Sequence, residues 1–128
     1  MSKKRSLITS VLILAVLVLI FVFLKGSGQE EPPENGTEYI EYTFRSERLL
    51  SDHFNKHGIE MGFDSMEDYE RAASDAANNP EALHKLEKDD GDDVYYIEET
   101  NEFVVISTDG FIRTYFCPDS GKRYFDKQ

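Results

Sequence analysis

The stretch LLSDHFNKHGIEMGF, residues 49–63, holds two of the three histidines of this 128-residue chain, His53 and His57, four positions apart. On a helix, residues at i and i+4 stand one turn apart on the same face, so both imidazoles project together. That arrangement serves a shared metal ion, acid/base work by a group that titrates near neutral pH, or a polar outer face with no chemistry at all. A zinc site needs further ligands, and neither His84 nor any carboxylate stands at a telling spacing from the pair. The acidic run EKDDGDD, residues 87–93, lacks the alternating oxygen ligands and distal Glu of an EF-hand loop, and reads as a solvated turn. No metal and no cofactor is therefore expected. Cys117 is the single cysteine, so it reads as a small buried side chain on a strand. What remains is a constellation of His53 and His57 near the start of the domain, Arg113 and Thr114 in FIRTYF, and Tyr124 close to the C-terminus. From residue type alone, His57 reads equally as a helix-end residue favoured by the dipole, and Arg113 as a surface cation.

The elements that position these side chains follow from periodicity. EYIEYTF, residues 38–44, reads as a short strand or a pairing arm. SERLLSDHFNKHG reads as a helix, with Ser46 as N-cap, Leu49, Leu50, Phe54 and His57 at helical spacing, and Gly58 at the C′ position. DSMEDYERAASDAANN follows as a second helix with capping-box spacing from Asp64 to Glu67, and NPEALHKLEK opens a third, with Asn79 as cap and Pro80 at its first position. After DDGDD the period changes. DVYYIEE, FVVIST, FIRTYF and RYFDK are rich in β-branched and aromatic residues and are separated by connections of hairpin length, with Asp109–Gly110 as one turn. The expected fold class is α+β: two to three helices packed on one face of a four-stranded antiparallel β-meander. Strict alternation along FIRTYF puts Ile112, Thr114 and Phe116 on the core face and Arg113 on the open one.

Ahead of this domain lies an uncharged apolar run, Ser6–Leu24, preceded by Lys3, Lys4 and Arg5 and followed by Lys25. A span needs roughly 20 apolar residues and a secretory core only about 7–15, so a retained anchor at residues 7–24 is expected over a cleaved signal sequence. No Cys near its end permits a lipoprotein anchor. The basic cluster puts residues 1–6 in the cytoplasm and the C-terminal part outside. Residues 25–37, rich in Gly, Pro and Glu, form a linker, and residues 38–128 the folded domain. Beyond the span, ten basic residues face all 25 acidic ones, a net charge of −15. Such a surface repels phosphate backbones at long range, so no DNA binding is expected.

The stretches LLSDHFNKHGIEMGFDSMEDYERAA and TNEFVVISTDGFIRTYFCPDSGKRYF together resemble the small nuclease domains of the barnase–EndoU–colicin–RelE ribonuclease superfamily, of phage and polymorphic-toxin type. The likeness runs from about Phe44 to Phe125 and rests on a helix ending HFxKHG, a second helix bearing Tyr and Ala, and the hairpin NEFxVxSxDGxIRTYFxP. The resemblance implies helices before a four-stranded antiparallel sheet and metal-independent cleavage of RNA by its own 2′-hydroxyl. It implies acid/base roles for His57 and His53, a phosphate contact for Arg113, and supporting contacts from Thr114 and Tyr124. RNA and a cognate immunity-type protein are the partners it implies. The reading from another class is a non-catalytic extracytoplasmic binding module of the same fold, whose acidic surface meets a protein partner. The anchor expectation has a direct check: full-length protein should fractionate with membranes, and a soluble form beginning near Gln29 would instead mark a cleaved signal.

Overall fold

The computed structural model describes residues 13–16 and 36–128. The apolar run lies outside the described residues except for 13–16, which are helical, and no helix among the described residues is long and apolar enough to cross a membrane. Every element below belongs to the compact unit Glu38–Gln128. In chain order these are α1 (Glu47–His53), a π-helical turn (Phe54–Gly58), α2 (Met66–Ala77), β1 (Leu83–Leu86), β2 (Asp93–Ile97), β3 (Glu102–Ile106), β4 (Ile112–Phe116) and α3 (Lys122–Asp126). The four strands make one antiparallel sheet in the order β1-β2-β3-β4, so the architecture is α+β with a meander.

Two elements differ from the sequence reading. The third helix expected at NPEALHKLEK amounts to one turn, closed by Glu81 N donating to Asn79 Oδ1 at 2.8 Å and Ala82 N donating to Asn79 O at 3.0 Å. The chain then becomes β1, where His84 pairs with Tyr95 and stacks on its ring at 4.6 Å. Good helix formers here lose to the ladder that the edge of β2 offers, a tertiary contact that outweighs small propensity differences. Conversely, RYFDK is not the fourth strand but lies in α3, begun after Gly121 at φ +58° and braced by Lys122 Nζ to Asp126 Oδ1 at 2.8 Å. Tyr124 therefore sits on a helix.

The sheet is buried on both faces, not on one. Ile97, Val104, Ile106, Ile112 and Tyr115 pack under α1 and α2. Val94, Tyr96, Phe103 and Val105 pack on the other side with Phe125 of α3. Continuous apolar runs such as FVVI are what a doubly covered strand requires. Along β4 the alternation breaks. Val105 pairs with Thr114 but Ile106 pairs with Ile112, which leaves Arg113 as an extra residue in a β-bulge. The bulge puts Ile112 and Tyr115 together on the helix-covered face and turns Thr114 and Phe116 to the other, so the expected core set Ile112, Thr114 and Phe116 is divided.

Local signals account for the rest. Ser46 Oγ accepts from Leu49 N at 3.3 Å to start α1, and Ser65, rather than Asp64, caps α2 by accepting from Asp68 N at 3.1 Å. The arm at residues 38–44 is extended but joins the sheet only at Phe44, whose bridge to Ile112 is parallel. It is tied instead to α2: Tyr42 N donates to the buried Ser74 Oγ at 2.9 Å, Asn78 Nδ2 donates to Ile40 O at 2.7 Å, and Phe44 N donates to Glu70 Oε2 at 2.9 Å. Gly58 does not end the first helix in a left-handed conformation. The helix widens into the π turn, and the reversal comes at Gly62, φ +91°. Gly58 is glycine because a Cβ there would lie 2.5 Å from Phe54 Cδ2 and 3.0 Å from Tyr69 Cδ2. Gly110, at φ +88° in the β3–β4 turn with open space around it, is glycine for the backbone alone. Gly58→Ala and Gly110→Val should each lower stability by about 1–3 kcal/mol, the first through overpacking and the second through a strained φ. Denaturant titration checks both, and a smaller residue at Phe54 should rescue only the first.

Candidate functional site

Three depressions along β4 divide the five candidate residues. His53 and Arg113 line one cleft of about 550 Å³, together with Phe44, Arg45, Asp92, Ser107, Asp109 and Phe111. Arg113, Thr114 and Tyr124 line a second of about 190 Å³ with Glu87 and Phe103. His57 lines a third of about 450 Å³ with Glu60, Asn101, Phe116 and Asp119. The fold thus brings His53 to Arg113, and Thr114 and Tyr124 to Arg113, but places His57 in a neighbouring hollow.

The helix and the π turn that follows it leave the two imidazole centroids 6.1 Å apart, but the widened turn sets His53 and His57 in different hollows instead of on one α-helical face. His53 lies against Phe44 at 5.1 Å, and its Nδ1 is buried with no hydrogen-bond partner among the described residues. His57 stacks on Phe116 at 5.0 Å and 22°. Burial in this aromatic setting lowers the pKa of His53, and the neighbouring His57 and Lys56 lower it further. Burial first and Lys56 second also lower that of His57, while Glu60 opposes them. Both rings are therefore biased to the neutral form, which can accept a proton.

The cations of the first cleft are already engaged. The bulge aims Arg113 at the turn between β1 and β2, where its Nη1 donates to Asp90 Oδ2 at 2.7 Å and to Asp92 Oδ2. Asp92 is buried, and its other oxygen accepts from Thr108 N at 3.2 Å. Glu87, Asp90 and Asp92 each bring an oxygen within 4.8 Å of the others, and Arg113 pairs with Asp90 and Asp92, its single charge answering only part of theirs. Across the cleft Arg45 donates through Nη2 to both oxygens of Asp109 at 2.7 Å and lies over the Phe111 ring at 4.4 Å. Ser107 and Arg45 together hold the Asp109 pKa below its usual value. Cys117 follows β4 and is exposed rather than a buried strand residue; partial desolvation, with Glu102 and Glu60 nearby, pushes its thiol pKa up, which makes it a poor nucleophile.

Arg45, Asp92, Asp109 and Phe111 are members of the cleft that reasoning from sequence did not reach. Arg45 stands 64 positions from Asp109, and the parallel bridge between Phe44 and Ile112 that joins their segments leaves no periodic trace. Asp92 was visible only as one acid among several in DDGDD; its burial was not.

No family model matches the chain, and a search of curated proteins returns no match. Among solved structures the chain is similar to a ribonuclease from Escherichia coli complexed with its inhibitor protein, at 18% identity and a TM-score of 0.48, over 60% of this chain and 95% of that one.

Proposed function

We propose that residues 38–128 form a metal-independent, ribonuclease-like domain that cleaves RNA by transesterification, with its reacting phosphate in the cleft lined by His53 and Arg113. The observation that carries this reading is that one cleft of about 550 Å³ gathers an imidazole, two guanidiniums and the rings of Phe44 and Phe111. His53, biased neutral, takes the proton of the 2′-hydroxyl as that oxygen attacks phosphorus. Arg113 and Arg45 hold the non-bridging oxygens as charge builds on the phosphorane. The imidazolium formed on His53 gives its proton to the departing 5′-oxygen; His57, in its own hollow one turn away, helps to hold the resting His53 ring neutral, and Thr114 and Tyr124 support the strand along which the RNA lies. The apolar segment at residues 7–24 tethers the domain outside the membrane or is removed on export, and an immunity-type protein is its natural protein partner.

A second reading rests on a specific observation: Arg45 and Arg113 both hold carboxylates, so the positions that phosphate would take are filled. On that account the domain is a non-catalytic extracytoplasmic module that meets a basic partner surface through its acids.

Purified full-length chain should cut single-stranded RNA in the presence of EDTA and leave 2′,3′-cyclic phosphate ends. His53→Ala and Arg113→Ala should each slow cleavage by roughly 10² or more, the scale of losing an acid/base or charge-stabilising group. The rate should fall on the acid side with an apparent pKa below the ordinary histidine value of about 6.5, because desolvation favours the neutral base. Loss of activity in EDTA would show that metal is needed. RNA left intact over a range of salt, with a basic protein partner still bound, would establish the module instead.

A further inference from the structure

We infer that the exposed side of Arg113 is an oxyanion site whose resting occupant is the carboxylate of Asp90, so that Asp90 decides which anions reach that guanidinium. The inference rests on the proposed phosphate contact of Arg113 and adds its control. Two carboxylates share this guanidinium, and they are not equivalent. The Asp92 side chain is 5% exposed and is also held by Thr108 N, so it cannot leave without stranding a buried charge. The Asp90 side chain is 49% exposed, sits on the turn at 88–90, and meets a guanidinium that is itself 51% exposed. An exposed pair of this kind contributes little net free energy, because water solvates both partners almost as well apart. Asp90 is thus the displaceable ligand and Asp92 the fixed one.

Geometry points the same way. Asp90 Oδ2 stands 2.7 Å from Arg113 Nη1, the distance at which a phosphate oxygen would bind the same N–H. Gly91, at φ +74° with nothing within 4 Å of where its Cβ would lie, gives the turn a backbone joint between the exposed acid and the buried one. Asp90 can swing away while Asp92 stays. The incoming ligand is an oxyanion with a second contact in the cleft, such as a phosphodiester that also reaches Arg45, since a lone monovalent anion gains nothing over the tethered carboxylate.

The test compares full-length chain with its Asp90→Asn variant, using inorganic phosphate as the probe and titration calorimetry as the readout. Removing one exposed competing charge should tighten phosphate binding by roughly two- to five-fold, and Arg113→Lys in the same background should abolish that gain. Glu99→Gln, at the opposite end of β2, removes the same charge without touching the site and should leave binding unchanged. Equal binding by wild type and Asp90→Asn, or an equal gain from Glu99→Gln, overturns the inference. The outcome is separable from that of the RNA assay: tighter phosphate in Asp90→Asn with no RNA cut in either protein sinks the ribonuclease reading alone.

Discussion

Asp92 is 3% exposed, and a buried carboxylate persists only where its charge is answered. Here the answer comes from two directions, the guanidinium of Arg113 on β4 and the backbone N–H of Thr108 in the turn before it. The backbone of Asp92 also accepts from Glu87 N at 2.8 Å and so closes the connection between β1 and β2. One residue therefore ties the first hairpin of the sheet to the last. The bulge at Arg113 follows from that tie. With regular alternation, Arg113 could not reach the turn while Ile112 and Tyr115 both filled the core beneath the helices. Such an ion pair adds little stability over an apolar replacement, but loss of either partner would strand the other, so its physical effect is to fix the cleft's geometry.

The opposite wall is set by aromatic packing rather than charge. Tyr69 of α2 is fully buried, touches Phe44, Phe54, Phe63 and Tyr115, and its hydroxyl donates to the backbone O of Tyr115. That bond locks α2 across β4. The close approach at Gly58 then brings the π turn against Tyr69, and the widened turn carries His57 round to Phe116 while His53 stays over Phe44. Had Gly58 carried a side chain, the turn would stand further off and the histidines would lose the burial that keeps them neutral.

What could be read in the sequence was local. The spacing of His53 and His57, the Ser46 cap, and the Asp109–Gly110 turn all depend on contacts within a few residues, and each appears where periodicity and turn chemistry put it. The misread elements are those decided at long range. Residues 83–86 carry helix formers but join a sheet edge, and residues 122–126 carry strand formers but close over an apolar face that would otherwise be open. The bulge at Arg113 is of the same kind, because no local pattern distinguishes it from regular alternation; Asp92, far along the chain, selects it. The site followed the fold in this respect. The helix carrying His53 and the strand carrying Arg113 were legible, but the separate hollow of His57 and the carboxylate contacts made by Arg45 and Arg113 with Asp109 and Asp92 were not.

The acidic surface bears on both functional readings through distance. Long-range repulsion between an RNA backbone and this domain acts across many ångströms of water and is screened beyond about 10 Å at 0.1 M salt. The contacts proposed for Arg45 and Arg113 act at hydrogen-bond distance, where screening is weak. A domain with a net acidic field and two guanidiniums in its cleft therefore approaches RNA slowly but need not bind it weakly, and the slow step is one that added salt relieves. A basic protein partner meets the reverse balance: the field draws it in, and salt weakens the encounter. The same carboxylates that oppose one ligand at a distance attract the other, and Asp90, placed on Arg113 itself, carries that opposition to the guanidinium.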